Sequence, residues 1–218
     1  MNDLVKRSLL PLSVCVLALA HAGCSIKTMA INTLGNALAD GSSGFARDDD
    51  PELIRDAVPF ALKTIESLIG QSPNHKGLLK AACSGFTQYS YAFVQQEADF
   101  VEAQDLERAT AMRARAKKLY LRGRDYGIRA FEVEFPGFGN RLRQNADGVL
   151  ARLSKKHVPL LYYTAVSWAA AFAVDIADSR LSVEQTLFEK MMSYGSLKAW
   201  ATGSALTVWN LPANRLAA

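Results

Sequence analysis

The sequence predicts an all-α fold built from antiparallel helix pairs. Two observations predict it. Apolar residues recur at three- and four-residue spacing along most of residues 51–209, and short stretches rich in glycine, proline, serine and asparagine separate the periodic runs. Composition agrees: 50% hydrophobic and 21% charged residues over 218 positions suit a packed core and exclude wholesale disorder. That length allows one large domain or two small ones. Fourteen glycines and seven prolines exclude a collagen-like chain. Three cysteines without a C-x-x-C exclude a disulfide scaffold and zinc held by such a pair. A net charge of +4 is too small to argue for nucleic acid, and no RRM or KH signature occurs, so no nucleic-acid partner is expected.

Residues 1–23 read as an export signal. Lys6 and Arg7 form a basic start, Ser8–Ala20 is an uncharged thirteen-residue stretch, and Ala22 and Gly23 are small. Thirteen residues fall short of the roughly 20 that a membrane-spanning helix needs. Ala22-Gly23-Cys24 resembles the lipobox of bacterial lipoproteins, in which the cysteine becomes the lipidated first residue. His21 departs from that pattern, since leucine usually stands there. The resemblance implies an acyl chain such as palmitate on Cys24; ordinary cleavage nearby is the alternative. Ser25, rather than Asp, implies sorting to the outer membrane. The expected localisation is the periplasm, with the chain anchored by lipid rather than spanning the bilayer.

Residues 24–47 read as the lipidated N-terminus and a linker helix, with Ile26, Ala30, Leu34 and Leu38 at four-residue spacing before the Gly41–Gly44 break. The helical domain follows, over 48–218. Asp50 is a good N-cap and Pro51 suits the first helical position. A calcium loop at Asp48–Asp50 is disfavoured, because adjacent aspartates lack the alternating ligand spacing. A helix over 51–69 places Leu53, Ala57, Phe60, Ala61, Ile65 and Leu68 on one side, with Pro59 implying a kink or break. The next helix runs from Lys76 to about Val101, with Leu79, Ala82, Phe86, Tyr89, Phe93 and Phe100 as its core stripe. A third, from about Leu106 to Phe131, has a mostly small seam of Met112, Ala116, Leu119, Gly123 and Ala130. It also carries eight cations, read as a solvated basic face, with Asp125 spaced to pair with Arg122 and Arg129. Pro136–Gly139 ends this unit, and a shorter helix over about 140–154 follows. Val158–Val174 is uncharged, has Pro159 near its start and holds tyrosines, so a buried central helix is preferred to a membrane span. Helices over about 182–194 and 197–209 complete the chain. Helix pairs of this size suggest a stacked TPR-like solenoid or a bundle, which periodicity alone does not separate.

No constellation for catalysis is found. H-E-x-x-H, G-x-S-x-G, P-loop and S-x-x-K patterns are absent, and no cofactor or metal is expected. GFGNRL lacks the third glycine of a dinucleotide loop and follows no strand. Cys83 reads as a buried, inert thiol. His75 and His157 sit in turns, and Glu132 and Glu134 have no apolar neighbourhood in sequence to raise a pKa. The chain is expected not to be an enzyme.

The stretches DDDPELIRDAVPFALKTIESL, LLKAACSGFTQYSYAFVQQEAD, RARAKKLYLRGRDYGIRAFE and VPLLYYTAVSWAAA, in this order, resemble the T component of TRAP transporters, the TatT family. The resemblance spans about residues 25–178. It implies a non-catalytic, TPR-like periplasmic lipoprotein working beside a solute-binding protein and an ion-driven membrane permease. Docking that binding protein, and holding or passing a small organic or hydrophobic ligand, would be its task. Carried over residue by residue, Tyr89, Tyr91, Gln95, Tyr120, Arg124, Asp125, Tyr126, Tyr162 and Trp168 become ligand-binding candidates, with an inward Arg124–Asp125 pair as the preferred lining. Tyr163 and His157 depart from the family, which usually has Trp and an acidic residue there. The likeness fades after Asp178 and the family continues with further helices, so a truncated or divergent C-terminus is expected. An incomplete solenoid would expose Trp200, Leu206 and Trp209, predicting a homo-oligomer or dependence on a partner. A general TPR-like scaffold of the cell envelope is the alternative reading.

Overall fold

The computed structural model describes residues 32–37 and 48–200, with side chains placed through residue 195. The signal, Cys24, the 41–44 break and the side chains of Trp200, Leu206 and Trp209 lie outside the described residues. Within them the structure is all-α. Helix α1 is Pro51–Gln71, α2 Lys76–Ser90, α3 Gln96–Val101, α4 Leu106–Glu134, α5 Phe138–Gln144, α6 Ala146–Leu150, α7 Val158–Ala173, α8 Ser179–Val183 and α9 Gln185–Trp200. Helix α1 packs on α2, α2 on α4, α4 on α7 and α7 on α9. Cross-contacts fix the directions. Lys76 at the start of α2 meets Glu134 at the end of α4, and Arg108 at the start of α4 meets Glu97 of α3. Glu134 also meets His157 just before α7, while Lys117 meets Asp175 just after it. Trp168 late in α7 meets Glu184 ahead of α9, and Tyr194 late in α9 meets Leu153 ahead of α7. The α2–α4, α4–α7 and α7–α9 pairs are therefore antiparallel.

Helix α1 starts as its residues dictate. Asp50 Oδ1 accepts the Glu52 and Leu53 amides at 3.1 and 3.0 Å, and Pro51, which lacks an amide, leaves none orphaned. The helix runs unbroken through Pro59 to Gln71, without the break that the proline allowed. Its buried stripe is Leu62, Ile65 and Ile69, with Ile54 and Val58 partly covered. This lies one residue round from the predicted side, and Phe60 is 78% exposed. Two apolar seams overlap in the sequence. The one used seats Leu62 over Gly85 of α2, where a Cβ would stand 2.7 Å from Leu62 Cδ2.

The second predicted helix forms over its whole length, but a π-helical turn at Tyr91–Gln95 joins α2 to α3, with the Gln96 amide reaching back to the Tyr91 carbonyl. A π-turn holds one extra residue, which rotates everything after it by about 100°. The stripe of Leu79, Ala82, Phe86 and Tyr89 is buried as expected, but it continues through Val94 and Ala98. Phe93 is only partly buried and Phe100 is 77% exposed. Near the other end of α1, the segment 32–37 is helical. It touches the α1–α2 turn through Asn32, whose Oδ1 accepts from Ser72 Oγ at 3.1 Å, and through Gly35 against Leu78; Leu34 is largely exposed.

Helix α4 is the spine. Its buried residues are Ala109, Ala116, Tyr120, Gly123, Gly127, Ala130 and Phe131, a small seam with Met112 and Leu119 at its edges. Gly123 and Gly127 face α2 and α7 together, so three helices meet at one crossing. There Thr87 Oγ1 donates to the Cys83 carbonyl at 2.6 Å and accepts from Ser167 Oγ, while Thr164 Oγ1 donates to the Leu160 carbonyl at 2.7 Å. These back-bonds satisfy the hydroxyls inside an otherwise apolar contact. Cys83 lies in the same crossing, and burial pushes its thiol up to about 12, which makes it the inert cysteine its sequence context suggested.

Beyond α4 the chain turns at Gly137, whose φ of +78° is left-handed. The single helix expected over 140–154 is two, split at Asn145, whose side chain caps α6 by accepting the Gly148 amide at 2.9 Å. Helix α7 is central, and every position from His157 to Phe172 is buried or partly buried. None of the described helices is long and apolar enough to cross a membrane. Helix α9 continues through Gly195 to Trp200, so the boundary expected near Leu197 is absent.

Glu134 clamps three elements. It takes hydrogen bonds from Lys76 of α2, Lys156 and His157 Nε2, the last at 3.0 Å, and these donors, Lys76 first, hold its carboxyl down at about 2. His157 is buried rather than simply in a turn, and its Nδ1 accepts the Ser154 amide at 2.9 Å. A depressed carboxylate pKa stabilises the fold above the unfolded value of 4.5 and loses that contribution as pH falls towards 2. The melting-temperature gap between wild type and Glu134→Gln is therefore expected to be open at pH 7 and to close between pH 4.5 and 2. Circular-dichroism melts across that range check it; a gap that stays constant removes Glu134 from the acid limb.

Candidate functional site

The basic face of α4 is less free than its sequence suggests. Arg113 binds Asp99 and Glu102, Lys117 bridges Asp175 and Asp178 at 2.7 and 2.6 Å, and Arg122 Nε lies 3.0 Å from Glu66. The pairing expected for Asp125 is corrected: it binds neighbouring Arg124 at 2.8 Å, while Arg122 goes to Glu66 and Arg129 to the Pro73 carbonyl. Neighbouring helices supply better-placed acceptors than the same helix does.

Most of the nine candidate residues fall in three places. The first is the π-turn. Tyr91 and Gln95 stand on it, Tyr89 two residues before it, and buried Tyr120 of α4 donates its hydroxyl to Gln95 Oε1 at 2.6 Å. Burial, then the nearby Tyr91 and Asp99, raises the Tyr120 phenol far above its ordinary range, so it stays a neutral donor. Tyr89 is buried, and Tyr91 is 45% exposed. The π-turn aims Gln95 at Tyr120, and such turns often mark functional sites.

The second place is Tyr126. Its hydroxyl donates to Glu66 Oε1 at 2.7 Å, and its ring stacks on Phe86 with centroids 6.0 Å apart. Burial and the Glu66 hydrogen bond push the phenol up to about 12. Burial works to raise Glu66, but hydrogen bonds from Lys63 and Tyr126 and the charge of Arg122 outweigh it, and its pKa lies below the ordinary value.

The third place centres on Trp168 of α7, almost wholly buried. Its Nε1–H donates to Glu184 Oε2 at 3.1 Å, and the guanidiniums of Arg124 and Arg143 lie 5.1 and 5.9 Å from its ring centre. Glu184 Oε1 accepts from Arg143 at 3.1 Å, and Arg124 Nη1 is 3.7 Å from Oε2. Arg124 does turn inward, as preferred, but Asp125 does not: it is exposed. The inward partner of Arg124 is Glu184. Tyr162 packs edge-on against Tyr163 at 5.3 Å, and burial raises its phenol. Arg143, Glu184 and Glu66 were missed because no local spacing links them to Arg124, Trp168 or Tyr126.

Open clefts on the described surface include these two. One of about 510 Å³ is lined by Asp147, Leu150, Thr186, Glu189, Lys190, Ser193 and Tyr194. The other, of about 300 Å³, is lined by Pro73, Asn74, Arg129, Glu132 and Val133. None of the nine candidates lines either. Among the described residues no group of three His, Cys, Asp or Glu side chains is placed to hold a metal.

The helices carrying these contacts fall within residues 47–198, which match the family model described as TAtT, the TRAP transporter T-component. The chain belongs to the TRAP transporter T-component family. It is also 31% identical, over 220 residues, to an uncharacterized protein of Treponema pallidum (strain Nichols), an alignment covering 91% of this chain and 68% of that protein. T-components are accessory parts of TRAP transporters and are not known as an enzyme family. In this T-component several of the side chains singled out by sequence join helical elements: the π-turn to α4 at Gln95–Tyr120, α1 to α4 at Glu66–Tyr126, and α4, α5 and α7 at Glu184.

Proposed function

We propose that the chain is a periplasmic lipoprotein, anchored through acylated Cys24, that docks the solute-binding protein of its TRAP transporter and holds a small organic or hydrophobic ligand during hand-over. The observation that carries this reading is the family match across residues 47–198. Stacked antiparallel helices suit it, because they present extended surfaces to partners rather than a single reactive cleft. The basic start, short apolar run and Ala22-Gly23-Cys24 support the anchor.

Two experiments test the two halves. Globomycin treatment is expected to accumulate an unprocessed precursor, and Cys24→Ala is separately expected to abolish palmitate labelling; a normal mature band would sink the lipid anchor. For docking, the immobilised mature chain is expected to retain the solute-binding protein encoded beside its permease. Repeated failure with the purified pair would sink that half.

A further inference from the structure

One stripe of α4 keeps its charge. Arg115, Lys118, Arg122 and Arg129 are all exposed and lie at spacings of 3, 4 and 7, on one side of the helix. They cover about 21 Å at 1.5 Å per residue. Arg115 and Lys118 have no carboxylate within ion-pair distance among the described residues, and Arg129 reaches only the Pro73 carbonyl. Glu66 serves Arg122 but is shared with Lys63 and Tyr126. Asp125, beside the stripe, is taken by Arg124. The stripe is therefore net positive.

Its arginines are also held in place. Arg122 lies over Phe86 at 5.3 Å, Arg129 over Tyr126 at 5.5 Å and Arg115 over Tyr89 at 6.0 Å. Phe86 and Tyr126 stack on each other, so a strip of rings underlies the cations. A guanidinium resting on a ring keeps its N–H edge free to grip a carboxylate or phosphate with two hydrogen bonds, and loses less freedom in doing so.

We propose that this stripe is the surface on which the solute-binding protein docks, through an acidic face whose carboxylates meet Arg115, Lys118, Arg122 and Arg129. The inference rests on the docking reading above and adds where docking happens and by what chemistry. A protein face fits better than two other polyanions. Nucleic acid would need rings free to stack on bases, but Phe86 and Tyr89 are buried beneath the arginines. A lipid surface would need large apolar side chains among the cations, but between Arg115 and Arg129 the one other exposed position of α4 is Asp125, and Val133, 37% exposed, lies only past the end of the stripe.

The test titrates the full mature chain with its purified solute-binding protein by calorimetry at 50 and 300 mM salt. Lys118→Glu, the Arg115→Glu/Lys118→Glu pair and a distant control, Lys80→Glu/Lys155→Glu, are compared, with melts confirming that each is folded. Lys118→Glu guards against misfolding, since Lys118 has no side-chain partner among the described residues. Binding is expected to weaken at least tenfold in the double variant and less in the single. The gap should narrow at high salt, and the control should match wild type. Equal binding by all variants overturns the stripe and leaves docking standing. No binding even by wild type overturns docking and the stripe's occupant with it. Should anionic vesicles of phosphatidylglycerol bind wild type and release the double variant, while the solute-binding protein ignores the difference, the stripe belongs to the membrane and the inference falls.

Discussion

Gly127→Ala is expected to destabilise the domain by roughly 3 kcal/mol, at the upper end of overpacking substitutions. A Cβ at this position would stand 2.1 Å from Thr164 Oγ1, 2.9 Å from Thr164 Cβ and 3.0 Å from Cys83 Sγ. None of these atoms is the loose end of a flexible chain. Thr164 is β-branched, its hydroxyl is tied to the Leu160 carbonyl, and Cys83 lies inside α2. The methyl group is accommodated only if α4 moves away from α2 and α7. Gly123→Ala is expected to be milder, because its nearest contact is Ser167 Oγ at 2.9 Å, a hydroxyl able to rotate. Gly70→Ala is expected to have the opposite sign, stabilising by about 0.5 kcal/mol, since nothing lies within 4 Å and alanine restricts the unfolded chain. Denaturant melts rank the three. A double-mutant cycle locates the cause: Thr164→Ala should recover part of the Gly127→Ala loss, with a coupling of about 1 kcal/mol or more. An unaffected Gly127→Ala protein would mean that the three-helix crossing is looser than its glycines indicate.

That crossing shows where the sequence could be read and where it could not. The Asp50–Pro51 start, the central helix after His157 and the small seam of α4 are local signals, and each appears as expected. Composition gave Gly123 its place in the seam but gave no reason to rank Gly127 above it, because the ranking depends on Thr164 and Cys83 of other helices. Phe93 and Phe100 were assigned to the core by a spacing that is correct for an uninterrupted α-helix. The π-turn at Tyr91–Gln95 invalidates it, and such a turn has no sequence signature as sharp as a cap. Phe60 was placed inward because two apolar seams overlap on α1, and only the Gly85 notch on α2 chooses between them.

The candidate site was legible as a set of residue types more than as a place. Tyr120, Arg124, Tyr126 and Trp168 do make specific polar contacts, which justifies singling them out. Their partners are separated from them by 25 residues for Gln95, 60 for Glu66 and 16 for Glu184, on different elements. Spacing within one helix cannot predict these contacts. It misassigned Asp125 for the same reason, since an i,i+4 pair on a surface is worth only a few tenths of a kcal/mol and yields to any better tertiary acceptor.

Trp168→Ala is expected to cost about 4 kcal/mol, the range for removing a fully buried large aromatic. The loss has two separable parts. The indole is buried against Arg124 of α4 and Arg143 of α5, and its Nε1–H satisfies one oxygen of Glu184, which also gathers both arginines. Trp168→Phe keeps most of the first part and removes the second, so it should cost about 1–2 kcal/mol. If the hub acts as a unit, Glu184→Ala should cost less once Trp168→Phe is in place, because the buried indole N–H that losing Glu184 would leave unpaired is already gone. If Trp168 is only packing, the two losses should simply add. Denaturant unfolding of the two single variants and their combination measures the difference. The same proteins also test the ligand reading of these residues. A joint between helices predicts that Trp168→Phe lowers stability and leaves any bound organic molecule in place, as seen by native mass spectrometry. Loss of that molecule from a Trp168→Phe protein with wild-type stability would instead put the indole in a binding site.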